Sequence, residues 1–176
     1  MKDSRNKLTV RDRMKIRKDI TKSVRKSTRC YAIHDGKVVT IKYKNKERFN
    51  GWYDLPGGKI ENGETADECA KREFYEETGL TVIDLENCGN LILEYPTKTS
   101  DYTIFYIKAY EGISTPLEND NDVEIIDIEK LLMLDNKFIC IKLLEDKYLK
   151  RILNCEKLTI KMIINDKEEI VDVIEY

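Results

Sequence analysis

The chain has 176 residues, of which 41% are apolar and 36% charged, and its net charge is −2. That length suits one domain with its own core. The composition excludes an intrinsically disordered chain, and no run of about 18 apolar residues is present to span a membrane.

The small net charge conceals an asymmetry. Residues 1–30 carry twelve Lys/Arg against three Asp/Glu, a balance of +9, while the remainder carries −11. Residues 1–20 read as a basic N-terminal arm with a short helix around Leu8–Ile20. The arm lacks the apolar stretch of a secretory signal. A basic arm on an acidic body can bind nucleic acid or polyphosphate. This one has no aromatic side chain to stack a base, so a solvated or internally paired arm is the favoured reading.

Strand signals begin near Ser23. Thr28–Ile33 and Lys37–Tyr43 flank Asp35-Gly36, and Asp-Gly between β-rich runs is a strong hairpin signal. A polar loop, Lys44–Asn50, leads to Gly51-Trp52-Tyr53-Asp54-Leu55-Pro56-Gly57-Gly58. Thr65–Thr78 is a helix on local grounds. Thr65 and Glu68 form a T-x-x-E capping box, Asp67 and Glu68 suit the positive helix end, and Gly79 falls where a helix stops.

Beyond the helix, Leu80–Leu85, Leu91–Tyr95 and Tyr102–Tyr110 read as strands. The loop Gly112–Asp122 is rich in Pro, Asn and acids. It is followed by a strand at Val123–Ile126 and a helix near Ile128–Leu134. Ile139–Leu153 shows helical apolar spacing at Ile139, Leu143, Leu144, Tyr148, Leu149 and Ile152. Lys157–Tyr176 reads as a final hairpin turning at Asn165-Asp166. Strands before, between and after helices, without strict alternation, predict a mixed sheet packed between helices.

The five cysteines, Cys30, Cys69, Cys88, Cys140 and Cys155, form no CxxC pair. A zinc site or disulfide framework is not expected, and a reducing, cytoplasmic setting is the simplest reading. Cys69 is expected to pack the helix. The single histidine, His34, falls beside the hairpin turn and is given no catalytic role.

Glu73, Glu76 and Glu77 share one helix face, because side chains three and four residues apart are neighbours. Crowded carboxylates repel one another and make sense around a divalent cation, for which hard oxygen ligands suit Mg²⁺ or Mn²⁺. Taken alone, such a run is more often a solvated helix face. Ala66, Cys69 and Ala70 on or beside that arc allow close approach of other backbone. Gly57-Gly58 permits unusual dihedrals or close approach to a ligand. Arg72 is placed to pair with Glu64 and order the loop against the helix.

The larger pattern is specific. Gly58, Glu64, Arg72, Glu73, Glu76, Glu77 and Gly79, with Phe74 and Leu80 as apolar positions, resemble the Nudix box, G-x5-E-x7-R-E-U-x-E-E-x-G-U. The one departure is Phe74, aromatic where a bulky aliphatic residue is usual. Leu55-Pro56-Gly57-Gly58 resembles the family's approach to the box. The resemblance implies an α/β/α sandwich around a mixed sheet, here with a C-terminal helix and β-hairpin extension. It divides the chain into an arm (1–20), a Nudix core (21–134) and a C-terminal helix and hairpin (135–176) within the same domain.

It further implies that Glu73, Glu76 and Glu77 bind metal, with Glu73 a candidate base, and that Glu64 and Arg72 hold loop to helix. The Gly58 carbonyl is a candidate for assisting the metal. Many relatives add one acid from a late loop, which here offers Glu118, Asp120 and Asp122, the first two preferred. The implied activity is a Mg²⁺-dependent (or Mn²⁺-dependent) pyrophosphohydrolase acting on a small-molecule nucleotide substrate.

Leu93-Glu94-Tyr95-Pro96 and Tyr102–Tyr110 resemble MutT-like nucleoside triphosphate pyrophosphohydrolases, which favours a (d)NTP or an oxidised (d)NTP. Tyr95 and Pro96 together do not separate dinucleoside polyphosphate from ADP-ribose hydrolases. An RNA 5′-pyrophosphohydrolase using the arm and a non-catalytic nucleotide sensor remain alternatives. Candidate substrate contacts are Trp52, Tyr95 and Asn136. Either a monomer or a homodimer is compatible with the chain.

Overall fold

The computed structural model describes residues 22–117 and 120–176. The expected arm and its short helix lie outside them. β1 (Ser23–His34) and β2 (Lys37–Tyr43) form the expected hairpin, with Asp35 and Gly36 both at positive φ in the turn. β3 (Tyr53–Asp54) precedes the helix α1 (Ala66–Thr78), and β4 (Thr81–Glu94), β5 (Lys98–Glu111) and β6 (Asn121–Asp127) follow. The chain ends in α2 (Ile128–Leu132), a 3₁₀ segment (Ile139–Leu144), α3 (Asp146–Leu153), β7 (Leu158–Ile164) and β8 (Ile170–Glu175). No helix among the described residues is long and apolar enough to cross a membrane.

The strands join in the order β3-β2-β1-β5-β4-β7-β8, with β6 added to β2. β1 runs parallel to β5 from Ser23 to Ala32. It meets β2 only at Ile33 and His34; β2 pairs with β3 at Ile41 and Lys42 and with β6 along its whole length. Alternation along β1 divides the interior. Tyr31 and Ile33 enter a large core with Leu91, Leu143, Ile152 and Ile160. Cys30 and Ala32 face a smaller core with Ala70, Phe74, Phe105 and Ile107, beneath α1. The sheet is therefore mixed, with helices on both faces.

Two elements differ from expectation. Leu80–Leu85 and Leu91–Tyr95 belong to one strand, β4, whose pairing with β5 absorbs irregularities between Val82 and Gly89. Polar Glu86–Asn90 looks like a break but pairs through, and Gly89, at φ +106°, brings β4 close to β7: a Cβ there would lie 1.8 Å from the Leu158 carbonyl oxygen. The expected long helix Ile139–Leu153 is divided at Glu145, which is extended. Cys140, Ile141, Leu143 and Leu144 are all buried, and the threefold 3₁₀ repeat eclipses them in pairs i, i+3. Only α3, with Tyr148 and Ile152 inward, keeps the α-helical face.

Candidate active site

The site is assembled on the free edge of β1. Over Lys26–Cys30, where β2 does not pair, the loop after β3 takes the vacant hydrogen bonds. Thr28 N–H donates to the Gly58 carbonyl at 2.8 Å, Cys30 N–H to Pro56 at 2.8 Å, and Ile60 N–H to Lys26 at 3.2 Å. The glycines meet two different demands. Gly57 has φ +140°, and a Cβ there would stand 2.4 Å from the Thr28 carbonyl oxygen. At Gly58 a Cβ would stand 2.2 Å from the Glu73 carboxyl carbon. The turn is thus pressed against both β1 and the glutamate face.

Helix α1 starts and stops as its sequence dictates. Thr65 Oγ1 accepts from Glu68 N–H at 3.2 Å, and Glu68 Oε2 accepts from Thr65 N–H at 2.8 Å. Gly79, in the left-handed region at φ +73°, donates to the Tyr75 carbonyl at 2.7 Å. Cys69 and Ala70 are fully buried, and the Cys69 thiol lies 3.4 Å from the Lys59 carbonyl oxygen. Small side chains bring the helix onto the loop, and Cys69 packs there. All five cysteines are free thiols.

Arg72 ties the pieces together. Its Nε and Nη2 donate to the two oxygens of Glu64 at 2.8 and 3.0 Å, a bidentate pair. Nη1 donates to Glu73 at 2.8 Å and to Glu76 at 3.1 Å. Glu64 is held down to about 2 by the Arg72 fork and by the Glu61 N–H. Glu77 is only 6% exposed and accepts from Gly57 N–H at 2.8 Å. Burial pushes its carboxyl up to about 8, against the pull of that N–H and of Arg29. A cation beside Glu77 would favour its ionised form.

Behind the glycine turn lies a polar cluster that sequence reasoning missed. Arg29 donates to the carbonyls of Thr28 and Gly57 at 2.9 and 3.0 Å and to Asp54 at 3.1 Å. Its guanidinium sits 4.7 Å from the Tyr102 ring centroid. The Tyr43 hydroxyl donates to Asp54 at 3.4 Å. Burial raises the Asp54 carboxyl, and Arg29 draws it back. The available signal was a charge at an inward strand position on each side: Arg29 between Thr28 and Cys30, and Asp54 between Tyr53 and Leu55. Among the described residues, the buried polar atoms without a partner are Ser27 Oγ, Arg29 Nε and both amide atoms of Asn121. Each such atom costs about 1–3 kcal/mol unless something else satisfies it.

Of the late-loop acids, Glu118 lies outside the described residues. Asp120 is exposed, and its carbonyl accepts from Lys44 N–H at 2.7 Å. Asp122 is exposed and pairs with the Lys44 ammonium at 2.5 Å. Trp52 joins a ring cluster with Phe49 and Phe138, centroids 5.5 and 5.4 Å away. Asn136 lies in the same loop region, but its side-chain amide donates to the Gly51 carbonyl, so it staples the loop. Tyr95 is half-buried against the large core with Lys98 over its ring at 4.8 Å.

The donors are of the right type for a hard divalent cation: three carboxylates on one helix and a backbone carbonyl at Gly58. Among the described residues, no three His, Cys, Asp or Glu side chains stand ready around a common point. Arg72 engages Glu73 and Glu76, and Gly57 engages Glu77, so an ion bound there would share the carboxylates with these partners or displace them.

A family profile described as the NUDIX domain matches residues 24–145. Over 87 residues the chain is 39% identical to an oxidized purine nucleoside triphosphate hydrolase of Danio rerio, covering 48% of this chain and 52% of that protein. Over 77 residues it is 34% identical to an 8-oxo-dGTP diphosphatase of Haemophilus influenzae, covering 44% and 57%. The chain thus spans about half the length of these curated relatives. A crystal structure of a MutT protein from Bacillus halodurans has a TM-score of 0.66 at 20% identity, covering 86% of this chain and 97% of that one. At that identity the likeness is one of fold.

Proposed function

Since the chain belongs to the Nudix family, we propose that it is a divalent-metal-dependent pyrophosphohydrolase acting on nucleoside triphosphates, with oxidised purine forms the preferred substrates. The observation that carries this reading is the filled glutamate box folded against the Gly57-Gly58 turn. Glu73 lies against Gly58, Glu77 accepts from Gly57 N–H, and Arg72 holds Glu73 and Glu76 beside a turn that leaves no room for another side chain. The names of the two curated relatives support the choice of substrate.

Each residue has a distinct task. Glu73, Glu76 and Glu77 would hold Mg²⁺ or Mn²⁺, which when bound would lower the pKa of water and screen the phosphate charge. Glu73, lying against Gly58, is the candidate base that takes the proton of the attacking water. Arg72 and Glu64 fix the loop to the helix. Water adds to phosphorus, a P–O bond of the anhydride breaks, and a nucleoside monophosphate and pyrophosphate leave. Trp52, Phe49 and Phe138 offer ring surface for a base.

The test is pyrophosphate release from a panel of NTPs, dNTPs and 8-oxo-dGTP, with Mg²⁺, with Mn²⁺ and with a chelator. Turnover is expected only with metal. Glu76→Gln and Glu77→Gln are expected to reduce it by roughly a hundredfold or more, the scale on which catalytic groups act. Turnover within tenfold of wild type in both variants would overturn the metal assignment.

A further inference from the structure

Asn121 is 3% exposed, and neither its amide nitrogen nor its amide oxygen has a hydrogen-bond partner. Buried amides are normally satisfied, so an orphaned one calls for an explanation.

Its surroundings supply one. Asn121 opens β6 directly opposite Tyr43 of β2. Directly opposed residues send their side chains to the same face of a sheet, and Tyr43 on that face donates to Asp54. The loop leading to β6 is fastened to the end of α1 that carries Glu76 and Glu77. Leu117 N–H donates to the Glu76 carbonyl at 2.9 Å, and Ser114 Oγ donates to the Thr78 carbonyl at 3.1 Å. Asn121 therefore shares a sheet face with Tyr43, the partner of Asp54, at the end of a loop anchored to the glutamate end of α1. Its neighbours Asp120 and Asp122 point to solvent. Of these three residues, the inward one is the uncharged one.

We propose that Asn121 is a positioning residue for the metal–phosphate assembly: Oδ1 accepts from water carried by the divalent cation, and Nδ2 donates to a phosphate oxygen. This rests on the pyrophosphohydrolase reading. An amide suits the place because it supplies a donor and an acceptor together. It also adds no charge to a site whose neighbouring elements already carry Glu76, Glu77 and Asp54.

The experiment measures Mn²⁺ binding by electron paramagnetic resonance, with thermal melting and pyrophosphate release on the same full-length proteins. Asn121→Leu keeps the number and branching of the side-chain heavy atoms and removes both orphaned polar atoms. Its metal-free melting temperature is expected not to fall, while its Mn²⁺ affinity weakens about tenfold, the scale seen when groups orienting a metal shell are lost. Asn121→Asp adds a carboxylate and is expected to tighten Mn²⁺; it serves as the reporter if Asn121→Leu does not fold.

Unchanged Mn²⁺ affinity in either folded variant overturns the proposal. So does a lowered melting temperature of Asn121→Leu together with unchanged Mn²⁺ affinity in Asn121→Asp, which would make the amide structural. Glu76→Gln and Glu77→Gln, measured alongside, separate the two readings. If they abolish Mn²⁺ binding while the Asn121 variants bind normally, only the Asn121 role fails. If the wild type binds no Mn²⁺, both readings fail.

Discussion

Substituting alanine at Gly58 isolates the geometry of the glutamate face from the stability of the fold. The added Cβ would lie 2.2 Å from the Glu73 carboxyl carbon and 2.3 Å from each of its oxygens. Non-bonded carbons settle at about 3.5 Å or more, so the carboxylate must retreat by roughly 1 Å. The obstructing group is the far end of a flexible side chain, which can shift together with its Arg72 partner, and Gly58 does not occupy the left-handed region. The fold should therefore absorb the methyl with a loss under about 1 kcal/mol. Catalysis should not absorb it, since a misplacement of about 1 Å costs on the order of a hundredfold, or about 2.7 kcal/mol in barrier. The assay is kcat/KM for pyrophosphate release, with a urea melt on the same preparation. Gly57→Ala is the control, because its Cβ would strike the Thr28 backbone at 2.4 Å from a φ of +140°, and it should lose stability first. Gly58→Ala with kcat/KM within threefold of wild type, or with stability lost in step with activity, would refute this reasoning.

Three further outcomes are expected. Phe74, fully buried in the smaller core beneath α1, should cost about 3–5 kcal/mol when cut to alanine; a urea midpoint shift worth under about 1 kcal/mol would contradict that packing. Glu64 has its carboxyl lowered from 4.5 to about 2, so its stabilising contribution is full above about 4.5 and disappears as pH falls through about 2. Glu64→Gln should accordingly melt below wild type at neutral pH and approach it in acid, and a gap constant from pH 7 to pH 2 would exclude the Arg72 fork as its cause. Trp52→Ala should raise KM about tenfold with kcat little changed, as loss of a stacking surface does; a fall in kcat at constant KM would remove Trp52 from substrate binding.

Much of this was legible in the sequence where the signal is local. Thr65, Glu68 and Gly79 mark the ends of α1 within one turn of themselves, and Asp35-Gly36 sets the first hairpin. The spacing of Glu73, Glu76 and Glu77 gives their common face from helix geometry alone, and Arg72 meets Glu64 because both border one loop. What was missed depends on register between distant segments. The continuity of β4 through Glu86–Asn90 is decided by its partners β5 and β7. The Arg29–Asp54 pair joins strands 25 residues apart. The inward turn of Asn121 between two outward acids follows from its pairing with Tyr43, and no count of acidic residues in the loop could supply it. The 3₁₀ segment at Ile139–Leu144 arises because burial on nearly every side suits a threefold repeat better than a single-faced α-helix.

The loop that carries Gly57 and Gly58 hangs on the edge of β1, and β1 is held in the sheet by parallel pairing with β5, beginning at Ser23 with Lys98. That contact closes a long stretch of chain, and pairings of this kind form slowly. Helix α1 is made of local contacts, with caps at Thr65–Glu68 and Tyr75–Gly79 that close within about one turn, and local contacts form before distant ones. The glutamates can therefore be helical early, while the wall they face is completed only when β1 and β5 meet. In a refolding experiment, helical signal should return before hydrolysis does, and the interval between them should report the closing of the parallel strands.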